Sequence, residues 1–568
     1  MSLIEIRNLE FTYKGGTQPA LKGIDLDINP GEFIVIMGHS GAGKSTLCLT
    51  LNGLVPNLKK GAFKGEVKIK GTPTAGHKVS HFARTVVLVF QDFETQLFST
   101  SVELEVAFGP ENFNVPPEEI KERVREALQK VRLTGFENRQ PANLSGGQKQ
   151  RLAIASVLSI QPEIICMDEP TTDLDPVGKY EVFSIASALR QEKHMTMIIV
   201  EHEVEEALEA NRIILMKEGT ILAQGTPKEI LSQSDLLASC AVKPLDMAEL
   251  FGRLGFKELP LTVEEGLEAW RRAGLTFNQE RYRSMVAAQQ SAREGKYGQP
   301  IIEVKGLRHS YENNFEALKG IDLTIRQGEF VAILGQNGSG KTTLVKHFNG
   351  LLRPTAGEVV VAGMDTRAES IDKFGRVVGY VFQNPDHQIF AGTVKEEVAY
   401  GPKLYGVPPA EIEERVRDAL QAVELAGLEE EDPFSLTKGQ RQRVAVASIL
   451  AAKPRVIILD EPTTGLDYKE QRGMMELVRR LNDMGHTIIM VTHSMWVTAE
   501  YAHRVVVVKD GRVVMDGPTR EVFAREEELE TAFLKPPQIV RFSNRLGATC
   551  LSVEEVMACL EGREGGGE

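Results

Sequence analysis

An α/β architecture repeated twice in tandem is the fold this sequence predicts, and three observations predict it. An eight-residue glycine-rich loop ending in lysine and a hydroxyl residue occurs twice, 297 residues apart: Gly38-His39-Ser40-Gly41-Ala42-Gly43-Lys44-Ser45 and Gly335-Gln336-Asn337-Gly338-Ser339-Gly340-Lys341-Thr342. Each loop follows an apolar run of strand type, Phe33 to Met37 and Phe330 to Leu334. Strand, loop and helix in that order are the setting a phosphate-binding P-loop requires. The rest of the chain repeats as well, and repeats are read before single motifs.

The repeat runs in order. Leu21-Lys22-Gly23-Ile24-Asp25-Leu26 returns as Leu318-Lys319-Gly320-Ile321-Asp322-Leu323. After each P-loop comes an amphipathic helix, with Ile120, Val124, Ala127, Leu128 and Val131 on one face and Ile412, Val416, Ala419, Leu420 and Val423 on the other copy's face. Asp168-Glu169-Pro170-Thr171-Thr172 returns as Asp460-Glu461-Pro462-Thr463-Thr464. The halves also end alike: Lys243-Pro244, Arg253-Leu254-Gly255 and a Val-Glu-Glu at Val263 match Lys535-Pro536, Arg545-Leu546-Gly547 and a Val-Glu-Glu at Val553. The expected domains are 1–236, a helical tail and linker 237–299, 300–526, and a C-terminal helical tail 527–568. The joint is expected near Gln289 to Pro300, a polar stretch carrying Gly295 and Gly298.

Composition narrows the function classes. A net charge of −13 argues against a general nucleic-acid binder, which needs a basic surface. The apolar runs are strand-sized, too short to span a bilayer. The N-terminus starts directly on an alternating strand pattern and not on a signal peptide. The five cysteines form no C-x-x-C pair and fit buried free thiols in a reducing compartment.

The loops carry the first chemistry. Their backbone N–H groups curl around phosphate, and the following helix offers its positive end. Lys44 and Lys341 are placed to reach the β- and γ-phosphates, and Ser45 and Thr342 to put a hydroxyl on Mg²⁺. The next residues, Thr46 and Thr343, open the helix beside the phosphates. ATP and Mg²⁺ are the expected cofactors.

Leu144-Ser145-Gly146-Gly147-Gln148, lying between a P-loop and an Asp-Glu-Pro strand end, resembles the signature of ATP-binding cassette (ABC) ATPases. The family pattern covers roughly 3–235 and 301–525. The resemblance implies two P-loop NTPase domains, each with a small antiparallel β subdomain, an α-helical subdomain and a short helical tail. It implies Asp168 and Asp460 as Mg²⁺ ligands, Glu169 and Glu461 as the groups that orient or deprotonate water, and Gln91 and Gln383 as sensors of Mg²⁺ and water. His202 and His493 resemble the switch histidine on the γ-phosphate, and Tyr13 and Tyr311 the aromatic that stacks on adenine. Thr172-Asp173-Leu174-Asp175 and Thr464-Gly465-Leu466-Asp467 match the loop that crosses between paired cassettes. In the family each ATP lies between one cassette's P-loop and the other's signature. Ser145, Gly146, Gly147 and Gln148 would therefore serve the Lys341 site, and Thr437, Lys438, Gly439 and Gln440 the Lys44 site.

Two departures stand out. Lys438 replaces the first signature glycine of the second half, and Glu201 stands before His202 where the family more often has a small hydroxyl residue. Unequal turnover of two bound ATPs is the expectation.

The stretch after each glutamine, Asp92-Phe93-Glu94-Thr95-Gln96-Leu97-Phe98 and Asn384-Pro385-Asp386-His387-Gln388-Ile389-Phe390, is similar to that of energy-coupling factor transporter ATPases, importers of vitamins and transition-metal ions. There it grips a membrane subunit, with Glu94 and Asp386 available to that partner's basic groups. The resemblance implies a transmembrane scaffold (T-type) subunit, a small substrate-capturing (S-type) membrane subunit, no nucleic acid, an internal pseudo-dimer of cassettes, and a peripheral place on the cytoplasmic face of the membrane. A sugar-importer ATPase and a ribosome-associated translation-type ATPase are the rival readings.

Overall fold

The computed structural model describes residues 2–172, 174–193, 195–312 and 315–561. Asp173 of the first crossing loop and the last seven residues of the expected C-terminal tail lie outside them. Contacts divide the chain into two units, Met1–Leu261 with Asp467–Lys469, and Thr262–Leu466 with Glu470–Glu568.

Among the described residues the first unit holds ten strands: β1 (Ile4–Tyr13), β2 (Leu21–Ile28), β3 (Phe33–Gly38), β4 (Gly61–Ile69), β5 (Thr72–Pro73), β6 (Val86–Val89), β7 (Ile164–Asp168), β8 (Thr196–Val200), β9 (Arg212–Lys217) and β10 (Thr220–Gly225). An antiparallel sheet has the order β2-β1-β4-β5, and a second sheet the order β10-β9-β3-β8-β7-β6. In the latter, β9, β3, β8, β7 and β6 run parallel, and β10 is the antiparallel edge. The second unit repeats this with β11 (Pro300–Ser310), β12 (Glu316–Arg326), β13 (Phe330–Leu334), β14 (Ala356–Val361), β15 (Met364–Asp365), β16 (Val378–Val381), β17 (Val456–Asp460), β18 (Thr487–Val491), β19 (Arg504–Lys509) and β20 (Arg512–Pro518). Its sheets are ordered β12-β11-β14-β15 and β16-β17-β18-β13-β19-β20.

The parallel strands are apolar throughout because both of their faces are covered. Alternation then sorts their side chains into two cores. Phe33, Val35 and Met37 of β3 join the core shared with the helices, whereas Ile34 and Ile36 join the core under the antiparallel sheet. Phe330 and Ala332 against Val331 and Ile333 divide β13 in the same way. The helical subdomains are Val102–Asn112, Pro117–Lys130 and Gly146–Leu158 in one unit, and Val394–Leu404, Pro409–Ala422 and Lys438–Leu450 in the other. In Pro117–Lys130 the buried positions are Val124, Ala127 and Leu128, the face the periodicity predicts.

The connecting segment stays helical longer than expected. Gln279–Glu294 is one helix, so the irregular joint narrows to 295–299. None of its residues is fully buried, and polar contacts hold it. Arg520 donates to Gln289 Oε1 (2.6 Å) and to Glu555 Oε2 (2.7 Å), and Gln289 Nε2 donates to Glu555 Oε1 (3.2 Å). Tyr282 Oη donates to the Thr549 carbonyl at 3.2 Å. Beside this helix, Trp270 meets Phe542 edge-on with ring centroids 5.5 Å apart. The helix thus docks on the C-terminal tail within the second unit.

His347, on the helix that follows the second P-loop, is fully buried, with Nδ1 on the Thr343 carbonyl at 2.8 Å and its ring 4.8 Å from that of His309. Burial pulls its pKa down to about 4. The first unit has Thr50 at the matching place. A histidine that binds its proton less readily when folded leaves stability intact above its unfolded pKa near 6.5. Stability then falls as the pH drops from about 6.5 towards 4, by at most about 3 kcal/mol. His347→Thr is expected to flatten this acid limb of the second unit in chemical denaturation, and an unchanged limb would assign it to other groups.

Candidate active sites

Each site is built where parallel strands end. At Gly38 the chain passes so close to β9 that a Cβ would lie 2.2 Å from the Met216 carbonyl oxygen; at Gly335 the matching distance, to Val508, is 2.1 Å. Only glycine lets the loop begin there. Lys44 Nζ donates to the carbonyls of Gly38 (2.8 Å) and His39 (2.9 Å), and Lys341 Nζ to those of Gly335 (2.8 Å) and Gln336 (2.9 Å). Both ammonium groups therefore sit inside the curl of the loop. Burial lowers the Lys44 pKa, opposed by the charges of Glu169 and Asp168.

Asp168 ends β7 and Asp460 ends β17. Ser45 Oγ donates to Asp168 Oδ1 at 3.1 Å, and Thr342 Oγ1 to Asp460 Oδ2 at 3.2 Å. Burial pushes the Asp168 carboxyl up to about 6, with the Ser45 hydroxyl working against it. Burial raises Asp460 too, opposed first by the Tyr380 hydroxyl. A hydroxyl beside a carboxylate is the hard oxygen set that suits Mg²⁺, which takes its remaining ligands from water and phosphate.

The next residue in each half, Glu169 or Glu461, has a left-handed backbone, φ 47° and 50°. That conformation costs a non-glycine residue about 1 kcal/mol or more and gathers at functional sites. It turns each glutamate from the strand towards the lysine and histidine. Glu169 Oε1 lies 4.0 Å from Lys44 Nζ and 3.0 Å from His202 Nε2, and Gln91 Nε2 donates to Glu169 Oε2 at 2.7 Å. Burial alone would raise the Glu169 carboxyl, but the bond and charge of His202, with Lys44, hold it below the usual glutamate range.

The second site differs in detail. His493 approaches Glu461 Oε1 through Nδ1, at 2.8 Å but off the line of a good hydrogen bond. Among the described residues Gln383 makes no hydrogen bond to Glu461. Tyr380 Oη instead donates to Asp460 Oδ2 at 2.7 Å. The motif reading missed Tyr380; its signal was the repeat itself, because Leu88 stands at the matching place.

Tyr13 and Tyr311 are part-exposed, and their hydroxyls meet Thr46 Oγ1 (3.1 Å) and Thr343 Oγ1 (3.0 Å), which brings an aromatic face beside each P-loop helix. Ser145 and Thr437 cap the helices Gly146–Leu158 and Lys438–Leu450 in closed capping boxes with Gln148 and Gln440. Among the described residues no hydrogen bond joins them to the P-loop or the carboxylates of their own unit. Lys438 reaches Gly465, where a Cβ would sit 2.3 Å from its Nζ, and φ there is +72°, the left-handed region that favours glycine.

Glu94 and Asp386 stay exposed but each already has an ion-pair partner in its own unit: Glu94 pairs with Lys149 at 2.9 Å and Asp386 with Arg441 at 2.7 Å. Beside these polar groups each stretch exposes one aromatic ring, Phe98 and Phe390. Phe98 meets Phe108 edge-on at 4.6 Å, and Phe390 meets Tyr400 at 4.7 Å.

A family model described as ABC transporter matches residues 21–172 and 318–464. A protein of Caldanaerobacter subterraneus subsp. tengcongensis, provisionally named an ABC transporter ATP-binding protein, is 56% identical over 560 residues, 98% of either chain. One of Methanosarcina acetivorans with the same provisional name is 40% identical over 552 residues, 95% of this chain and 90% of its own. Among solved structures, CbiO1 from Clostridium perfringens, part of the ABC transporter complex CbiONQ, is 38% identical, covering 43% of this chain and 98% of its own, with a TM-score of 0.39.

Proposed function

The chain belongs to the ABC transporter family as an ATP-binding subunit with two tandem cassettes, and from that premise we propose that it powers an importer of the energy-coupling factor type. Its cargo class is a vitamin, a vitamin precursor or a transition-metal ion. The observation that carries this reading is the aromatic pair presented twice after the glutamine, Phe98 with Phe108 and Phe390 with Tyr400, each with its first member 62% exposed. Large apolar groups exposed at the same place in both copies mark a docking surface. Glu94 and Asp386, already paired, serve to shape that surface. Among the described residues no helix is long and apolar enough to cross a membrane. A T-type scaffold and an S-type capture subunit would supply the pathway, with this chain peripheral on the cytoplasmic face.

In this reading P-loop amides with Lys44 or Lys341 hold the β- and γ-phosphates, and Tyr13 or Tyr311 stacks on adenine. Glu169 and Glu461 orient water and accept its proton. Gln91 and His202 keep the Glu169 carboxylate aimed, and His493 lies beside that of Glu461. Ser45, Gln91 and Asp168, or Thr342, Gln383 and Asp460, would hold Mg²⁺, which when bound neutralises charge on the phosphates. ATP binding closes the two cassettes as an internal pseudo-dimer, and hydrolysis opens them.

The Lys341 site draws on the intact signature and the Lys44 site on the one bearing Lys438. Steady-state ATPase is therefore expected to fall about 10²-fold or more in Glu461→Gln and by less in Glu169→Gln; equal losses would contradict unequal sites. The transport reading is tested by recovering the tagged full chain from detergent-solubilised native membranes and identifying what comes with it. A polytopic scaffold and a small hydrophobic subunit are expected, and Phe98→Ser with Phe390→Ser should lose both. Recovery of ribosomes without a membrane partner would overturn the reading.

A further inference from the structure

Glu201 is a buried carboxylate that the hydrolytic scheme leaves unused. It is 4% exposed and follows the last residue of β8. Its Oε1 accepts the backbone N–H of His202 (3.0 Å) and of Glu203 (3.3 Å), and its Oε2 accepts the Thr171 hydroxyl at 2.8 Å. Its own N–H donates to the Ile36 carbonyl of β3 at 3.1 Å. The carboxylate thus bridges two chain segments. One carries His202, and the other carries Glu169 two residues before Thr171. These are the residues whose side chains meet at 3.0 Å.

A carboxylate is costly to bury without donors. Burial does raise the Glu201 pKa, against the pull of Lys179, which is itself paired with Glu203 at 2.6 Å. The three donors are what make the burial tolerable, and in return they leave the group little freedom to move. Among the described residues the second unit has nothing equivalent. Thr492 stands at that place, fully buried, and its hydroxyl accepts the Ser494 N–H at 3.0 Å. Among the described residues no side-chain bond joins it to Thr463, the counterpart of Thr171. The approach of the histidine differs between the sites accordingly: through Nε2 with good alignment in the first, and through Nδ1 with poor alignment in the second.

We propose that Glu201 is a positioning residue of the first site, a clamp that fixes the histidine loop to the Glu169 turn so that His202 holds Glu169 in its reactive orientation. It acts through those two residues and need not touch nucleotide. The inference rests on the reading of Glu169 as the group that activates water.

The test is single-turnover ATP hydrolysis by the full chain, with the first-site component defined as the part lost in Glu169→Gln. Glu201→Ala should slow that component about tenfold or more, since small displacements of a catalytic group are costly. ATP affinity should stay within about twofold, the pattern of an interaction that serves the transition state. Glu201→Gln keeps an acceptor for both amides and a partner for Thr171, so it should retain the component to within about threefold. The clamp is overturned if Glu201→Ala leaves the component unchanged, if affinity falls in step with rate, or if Glu201→Gln falls as far as Glu201→Ala. If Glu169→Gln removes no component at all, the assignment of Glu169 fails first and takes the clamp with it.

Discussion

A single parallel register governs both sites. Asp168 lies opposite Val200 across β7 and β8, and Asp460 lies opposite Val491 across β17 and β18. Beyond that pairing the Glu169 N–H still donates to Val200 at 3.1 Å, and the Glu461 N–H to Val491 at 2.8 Å. Each glutamate is therefore tied to the strand whose extension carries the histidine two residues on. A slip of one residue would turn every side chain of the strand to its other face and part the pair. The left-handed turn at the glutamate is affordable because the strands on either side are buried on both faces and do not yield. In the first site carboxylate, histidine and P-loop lysine then meet, with Glu169 Oε1 3.0 Å from His202 and 4.0 Å from Lys44.

On this shared frame the two cassettes are furnished differently. The first has Leu88, Thr50, Glu201 and Gly146 where the second has Tyr380, His347, Thr492 and Lys438. These differences add a hydroxyl to Asp460, or clamp the His202 loop, or place an ammonium group against Gly465. Chemistry common to both sites is thus kept, while the firmness with which each glutamate is held differs. Both lysines and both aspartates keep the same partners, Lys44 and Lys341 on the loop carbonyls and Asp168 and Asp460 on the P-loop hydroxyl.

Much of this was legible in the chain itself, for physical reasons. Buried parallel strands read as unbroken apolar runs, and the P-loop glycines stand where a Cβ would strike Met216 or Val508. The departures at Lys438 and Glu201 showed as breaks in the repeat. Other features did not show. Pairing of Glu94 with Lys149 and of Asp386 with Arg441 depends on helices distant in sequence, and an acidic loop gives no sign of it. The helix Gln279–Glu294 has no apolar stripe because Arg520, Thr549 and Glu555 hold it by polar contacts, so its register against the C-terminal tail left no periodic trace. A positive φ at glutamate has no signature either, because glycine and asparagine are the residues that favour it and neither stands there.

The account stands on two complete nucleotide sites in one chain. The most direct test is the binding stoichiometry of Mg·ATP, by isothermal titration, to the purified full chain carrying Glu169→Gln and Glu461→Gln together, so that nothing is hydrolysed. Two nucleotides per chain are predicted. One per chain would contradict the account, for it would mean that the shared frame supports only a single working P-loop.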